Sequence, residues 1–351
     1  MKLTIPLVIA CACACACAAA GHAAASAQSA ERNDAIFLYR GADREQRLLE
    51  RARREGTVVV YTSLAPTESA PLARAFEKRT GVKVELWRAI SEKLVQRALT
   101  EARARRYAFD VIETNGPEME MMAREKLFAE FHSPHLADLP PSAVPPHRLW
   151  IPDRMNFFVV AYNTQKVRRE ELPRSYDGFT DPKWKGRIGI EATDAEWMAT
   201  LVKIWGEQPG LAYFRKLAAM QPDVRKGHVL LAELIGAGEI PVGLTVYNSN
   251  AESLKRKGAP IDWVPVDPVV ARPQGIALGR NAPHPHAALA FADFVLSPGG
   301  QELLNSMGRV PVSTKVQTHM NKFDYTVVDP ATVLEEQEKW NKLWEGLFIQ
   351  K

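Results

Sequence analysis

Cysteine is confined to Cys11, Cys13, Cys15 and Cys17, so disulfides and thiolate metal sites are excluded from everything that follows. Their Ala-Cys alternation resembles a thiol metal tract by composition, but it lies in a segment with the form of an export leader. Charge of one sign is scarce too. The 45 Lys+Arg against 41 Asp+Glu give +4, and acidic and basic residues alternate without long runs, which argues against a nucleic-acid groove. With 46% hydrophobic and 25% charged residues, a dominant disordered state is excluded, and 351 residues suffice for one large or two medium domains. There is no internal repeat, no His-Glu-x-x-His helix, no Gly-x-Ser-x-Gly elbow, no Walker loop and no Gly-x-Gly-x-x-Gly fingerprint. The nearest approaches to metal spacing, His132-Ser-Pro-His135 and His284-Pro-His286, carry prolines that place them in turns. Adhesins and structural envelope proteins would show repeats or a disulfide framework. The expectation is a protein that is not an enzyme and uses no cofactor.

Residues 1–27 read as a signal peptide. Lys2 precedes an apolar, small-residue stretch from Leu3 to Ala20, and Ala25-Ser26-Ala27 places small residues at −3 and −1, giving a cut after Ala27. The Ala-rich second half is too weakly apolar for a spanning helix. Cleavage removes Lys2 and every thiol, leaving 44 − 41 = +3. An alternative stays open: Val8-Ile9-Ala10-Cys11 resembles a lipoprotein box that would make Cys11 lipid-bearing and membrane-tethered.

Beyond the leader, strand and helix patterns alternate. Leu48, Leu49 and Ala52 sit among charges before the stop signal Gly56, and Thr57–Tyr61 is a β-branched run ending in the Thr62-Ser63 turn. Leu72 and Phe76 lie four apart on a helix closed by Gly81. A strand at 82–87, a helix at 92–105 with Leu94, Ala98 and Ala102 on one face, and a strand at 109–114 complete βαβ units, which favour a parallel sheet covered by helices. Six prolines between Pro134 and Pro152 suggest an extended crossing between lobes. A second unit follows, with strands at 156–162, 187–191 and 243–247 and helices at 194–205, 211–220 and 228–235. Late helices at 287–296 and 301–307 are expected to pack back on the first lobe.

Ligands of open α/β sheets gather beyond the carboxyl ends of strands. The polar groups there are Thr62 and Ser63, then Glu113, Thr114 and Asn115, then Glu191, Asp194 and Glu196, then Tyr247 and Asn248. Each of these positions equally suits a helix cap.

Five segments in register carry a resemblance: Gly56-Thr-Val-Val-Val-Tyr-Thr-Ser63, Phe109-Asp-Val-Ile-Glu-Thr114, Ala161-Tyr-Asn-Thr164, Asp181-Pro-Lys-Trp-Lys-Gly-Arg187 and Ser297-Pro-Gly-Gly-Gln301. Together they resemble the family 1 extracellular solute-binding proteins, the ferric-iron-type binding proteins of ABC importers. The resemblance implies an α/β, two-lobed periplasmic binding protein type II fold. Each lobe would hold a mixed, mostly parallel sheet flanked by helices, with a cleft between lobes, the first lobe at 28–152, the second at 153–272 and a return to the first at 273–351. It also implies a monomer in the periplasm that closes on one ligand and docks on permease subunits. Arg154, Lys226, His228 and Arg272 fall at segments the family places near the cleft, and guanidinium forks suit carboxylate or phosphonate oxygens. His228 also opens a helix, whose amides attract anions. A small organic or phosphorus-containing anion is therefore the expected ligand. The alternative is Fe(III), bound as cargo by Tyr247 with Tyr61, Glu113 and Glu68. Against it, the ferric members use two adjacent tyrosines and usually a His or a further Tyr from the first-lobe turn, whereas Tyr247 here is followed by Asn248 and the Tyr61 turn has no His. Tyr247 and Trp87 serve equally well as aromatic walls or core.

Overall fold

A computed structural model describes residues 32–349, so the leader, both processing alternatives and all four cysteines lie outside the described residues. Helix α1 (Arg44–Glu55) buries Leu48 and Ala52 and stops at Gly56, whose φ of 77° is a left-handed geometry that favours a residue without Cβ. Then β1 (Thr57–Thr62), α2 (Pro66–Thr80), β2 (Lys83–Arg88), α3 (Ser91–Arg103) and β3 (Val111–Asn115) form the parallel βαβ units that the β-branched runs and four-residue spacings predict. Helix α4 (Gly116–Arg124) and the short β4 (Phe128–Ala129) complete this part.

The proline-rich stretch differs from expectation. It folds into two 3₁₀ turns, Pro134–Asp138 and Pro141–Ala143, because proline suits the first position of such turns. The crossing is made instead by β5 (Ile151–Asn163), a strand buried along its whole length. The second part contains β6 (Ile188–Glu191), α5 (Ala195–Trp205), α6 (Glu207–Ala219), β7 (Asp223–Arg225), α7 (His228–Ala237), β8 (Val242–Tyr247), α8 (Asn248–Arg256) and β9 (Ile261–Val264). The chain returns through β10 (Val270–Gly279), then α9 (Pro285–Leu296), α10 (Pro298–Ser306), β11 (Val310–Pro311), β12 (Thr326–Val327), α11 (Pro330–Glu335) and α12 (Gln337–Trp344).

The strands form one continuous ladder in the order β2-β1-β3-β10-β5-β8-β6-β7. Each half repeats the same plan: three parallel strands (β2-β1-β3 and β7-β6-β8) closed by one antiparallel strand, β10 in the first and β5 in the second. Because β10 and β5 also pair with each other, the two lobes share the hinge strands rather than owning separate sheets. The expected borders at 152/153 and 272/273 therefore fall inside β5 and β10, where the hinge is.

One core gathers Phe76, Phe157 and Phe291 in the first lobe, and another gathers Trp184, Trp197 and Phe214 in the second. Helix α9 returns to the first lobe as expected, with Phe291 edge-on to Phe76 at 5.2 Å. The final helix corrects the expected return of 273–351. Trp340, Trp344 and Phe348 are buried in the second core, where Trp344 meets Trp197 edge-on and donates from Nε1 to the Ala192 carbonyl at 2.8 Å. Burying such side chains is worth about 1.5–3 kcal/mol each, ample to decide which lobe an amphipathic helix joins. Among the described residues, no helix is long and apolar enough to cross a membrane.

Candidate functional site

Strand alternation sorts the first-lobe candidates. Thr62 and Glu113 are partners in the parallel register of β1 and β3, so they share a face, whereas Tyr61 points to the other. There, Tyr61 packs against Trp87 and Phe109, and its hydroxyl meets the Glu101 carboxylate at 3.0 Å. Burial pushes its phenol up to about 12. On the opposite face, Glu113 accepts from the Thr62 hydroxyl and from the Arg154 guanidinium. Arg154 Nη1 also lies 3.2 Å from both Asp153 oxygens, and Nη2 donates to Gln274 Oε1 at 3.2 Å. This group lies buried in the hinge, and burial raises the Asp153 carboxyl against the opposing pull of Arg154.

A second cluster stands where β1 and β3 end and α3 and α4 begin. The Thr114 hydroxyl lies 3.0 Å from Ser63 Oγ and 2.9 Å from Ser91 Oγ, and Asn115 Nδ2 donates to Ser91 Oγ at 2.9 Å. Neither α3 nor α4 has a side-chain cap on its first-turn amides. Asn115 also reaches toward Glu118 of α4 at 3.5 Å.

The third cluster belongs to the second lobe. Arg272, on β10, places Nε 2.6 Å from Glu196 Oε1 and donates from Nη1 to the Tyr247 hydroxyl at 2.8 Å. Tyr247 ends β8 and stacks on His228 with ring centroids 3.7 Å apart. Imidazole Nδ1 of His228 lies 3.1 Å from the Thr245 carbonyl, and Nε2 lies 3.2 Å from Asp194 Oδ1. Burial raises the Glu196 carboxyl to about 7 and the Tyr247 phenol well above its ordinary value. Burial would lower the His228 imidazolium, but the charge and hydrogen bond of Asp194 and the charge of Glu191 together outweigh it and raise it.

A cavity of about 400 Å³ is lined, from these clusters, by Glu118, Glu196 and Arg272. Glu92, Pro117 and Glu118 line it from the first lobe, Thr193, Glu196 and Arg272 from the second lobe and hinge, and Trp340 and Trp344 close one side. The structure thus brings Ser63, Thr114 and Asn115 together, Asp194, His228, Tyr247 and Arg272 together, and Thr62, Glu113 and Arg154 together beneath them. It leaves Lys226 exposed in the turn before α7, and it turns the Asn248 amide to the Met320 carbonyl at 2.8 Å. Glu68 pairs with Arg309. Sequence reasoning missed Ser91, Glu118, Asp153, Gln274 and the two tryptophans. Ser91 offered one signal, a hydroxyl at a helix start, and the others depend on tertiary placement.

Shared hinge strands, repeated half-sheets and a polar interlobe cavity define a type II periplasmic binding protein, built to close on a small ligand. The chain belongs to the bacterial extracellular solute-binding protein family, whose model matches residues 71–326. Its role is solute capture for an ABC importer. A relative, the Fe(3+)-binding periplasmic protein of Serratia marcescens, is 26% identical over 269 residues, covering 71% of this chain and 76% of that protein. Iron-bound HitA from Pseudomonas aeruginosa superposes with a TM-score of 0.71 at 22% identity, covering 83% of this chain and 99% of that one. AfuA from Actinobacillus pleuropneumoniae, with fructose-6-phosphate bound, gives 0.72 at 22% identity, covering 84% and 99%.

Proposed function

We propose that this chain captures a small organic or phosphorus-containing anion in the interlobe cavity, outside the inner membrane, and hands it to permease subunits as a monomer. The observation that supports this best is the Ser63–Thr114–Ser91 hydroxyl cluster where α3 and α4 begin, a set of donors that, among the described residues, has no protein carboxylate bonded to it. Arg272 supplies a guanidinium to the cavity, which the hydroxyls themselves do not line. Glu92, Glu118 and Glu196 also line it, so the ligand carries hydroxyl or amino donors besides its anionic group. Sugar phosphates and aminophosphonates have that composition. Closure needs only that ligand contacts be better in the closed state than in the open one.

Fe(III) cargo is the second reading, favoured by the names of the Serratia relative and of HitA. Its donors are dispersed here: Tyr61 is engaged by Glu101, Glu113 by Arg154, and Tyr247 by Arg272.

Calorimetry with sugar phosphates, aminophosphonates and their analogues lacking the anionic group tests the anion reading. Micromolar binding that disappears with the anionic group is expected. Tight Fe(III) binding with no response to any anion would overturn it.

A further inference from the structure

Glu191, Asp194 and His228 do not line the interlobe cavity in which the anion is proposed to bind. Glu191 ends β6, Asp194 immediately precedes α5 and His228 opens α7, and one ligand atom from each lies within 4.8 Å of the others. The two carboxylates are 2% and 1% exposed. His228 Nδ1 faces the Thr245 carbonyl, to which it donates, and this orients the ring and leaves Nε2 to face Asp194. A metal-binding imidazole is held in the same way. Asp194 Oδ2 is buried without any hydrogen-bond partner, which is costly for a carboxylate oxygen. Glu191 is fixed by the Gly227 amide and by the Thr193 amide and hydroxyl, yet a carboxylate offers about four acceptor positions and retains lone pairs.

We propose that Glu191, Asp194 and His228 hold a resident divalent transition ion of the Zn²⁺ or Mn²⁺ kind. One imidazole nitrogen and two carboxylates are a borderline-to-hard set that suits such ions, and three protein donors leave a coordination position for water. All three donors belong to one lobe. Binding the ion therefore does not draw the lobes together, which separates it from a transported solute. It is also separate from a tyrosinate iron site: no first-lobe residue takes part, and the Tyr247 hydroxyl is committed to Arg272. The guanidinium of Arg272 is itself balanced by Glu196, so it does not oppose the ion with a bare charge. The proposal goes beyond anion capture and stands or falls without it.

The test uses metal-stripped mature protein titrated with Zn²⁺ by calorimetry, with zinc counted by mass spectrometry after gel filtration. Expected are one Zn²⁺ per chain, at least hundredfold weaker binding in His228→Ala and in the isosteric Asp194→Asn, and binding within a few-fold of wild type in Tyr247→Phe. The scattering radius should not change on zinc addition. With Co²⁺, the wild-type protein should show ligand-field bands, a readout that needs no variant to fold. No stoichiometric Zn²⁺, no Co²⁺ bands, full binding in His228→Ala or equal loss in Tyr247→Phe would each overturn the proposal. Binding of an organic anion by chelator-treated protein leaves the capture reading intact whichever result is obtained.

Discussion

Arg154→Met probes the hinge most sharply. The guanidinium is 4% exposed and shared by Glu113, Asp153 and Gln274, so its removal leaves two buried carboxylates facing each other without a cation. Breaking a buried pair from one side costs about 3–5 kcal/mol. For a chain of this size each kcal/mol moves the melting midpoint by about 2 °C, so a drop of roughly 6–10 °C is expected. Thermal and urea unfolding followed by circular dichroism measure this directly. Adding Glu113→Gln to the same chain should recover part of the loss, because one stranded charge disappears while the Thr62 hydroxyl keeps an acceptor. The reasoning is refuted if Arg154→Met melts with the wild type while losing ligand affinity more than tenfold. Arg154 would then spend its charge on the ligand rather than on the hinge.

Other consequences follow from the same geometry. Tyr247→Phe keeps the ring stacked on His228 but removes the oxygen that Arg272 bonds, so ligand affinity measured by calorimetry should fall at least tenfold, about 1.4 kcal/mol, with little change in melting. Glu196 has a folded-state carboxyl raised from about 4.5 to about 7, so the stability it gives is full below about pH 4.5 and is lost as pH rises through 7. Glu196→Gln should therefore gain urea resistance relative to wild type between pH 5 and pH 7.5, and a constant difference would sink the assignment. Trp344→Ala removes a side chain that fills the second core and borders the cavity, and it should cost about 3–5 kcal/mol in urea unfolding. Denatured mature protein should give no thiol with a disulfide reagent, whereas processing at a lipid-capped Cys11 would leave the thiols of Cys13, Cys15 and Cys17 to titrate.

The parallel βαβ units were legible because each amphipathic period is local: Leu72 with Phe76 and Leu94 with Ala98 needed only their neighbours. The ladder was not, since nothing along the chain says that β10 inserts between β3 and β5. The last helix shows the same limit. Its Trp340 and Trp344 announce a buried face but not whose, and the answer is Trp197, well over a hundred residues earlier. At the site, strand ends pointed to Ser63, Thr114, Asn115, Asp194 and Tyr247 as polar groups in place. Arg154 was legible as a cation only. Its neutralisation by Asp153, Glu113 and Gln274 depends on the β5–β10 register, where Arg154 opposes Gln274. Tyr61 and Thr62 are adjacent in sequence yet serve opposite faces, a division that strand alternation determines once the pairing is known.

The central claim is capture of an organic anion rather than of iron. Native mass spectrometry of mature protein purified from its own periplasm, with iron and visible absorption measured on the same sample, tests it most directly. The account predicts one small organic mass per chain and no phenolate charge-transfer band. Stoichiometric Fe(III) with a visible band that disappears in Tyr247→Phe would contradict it.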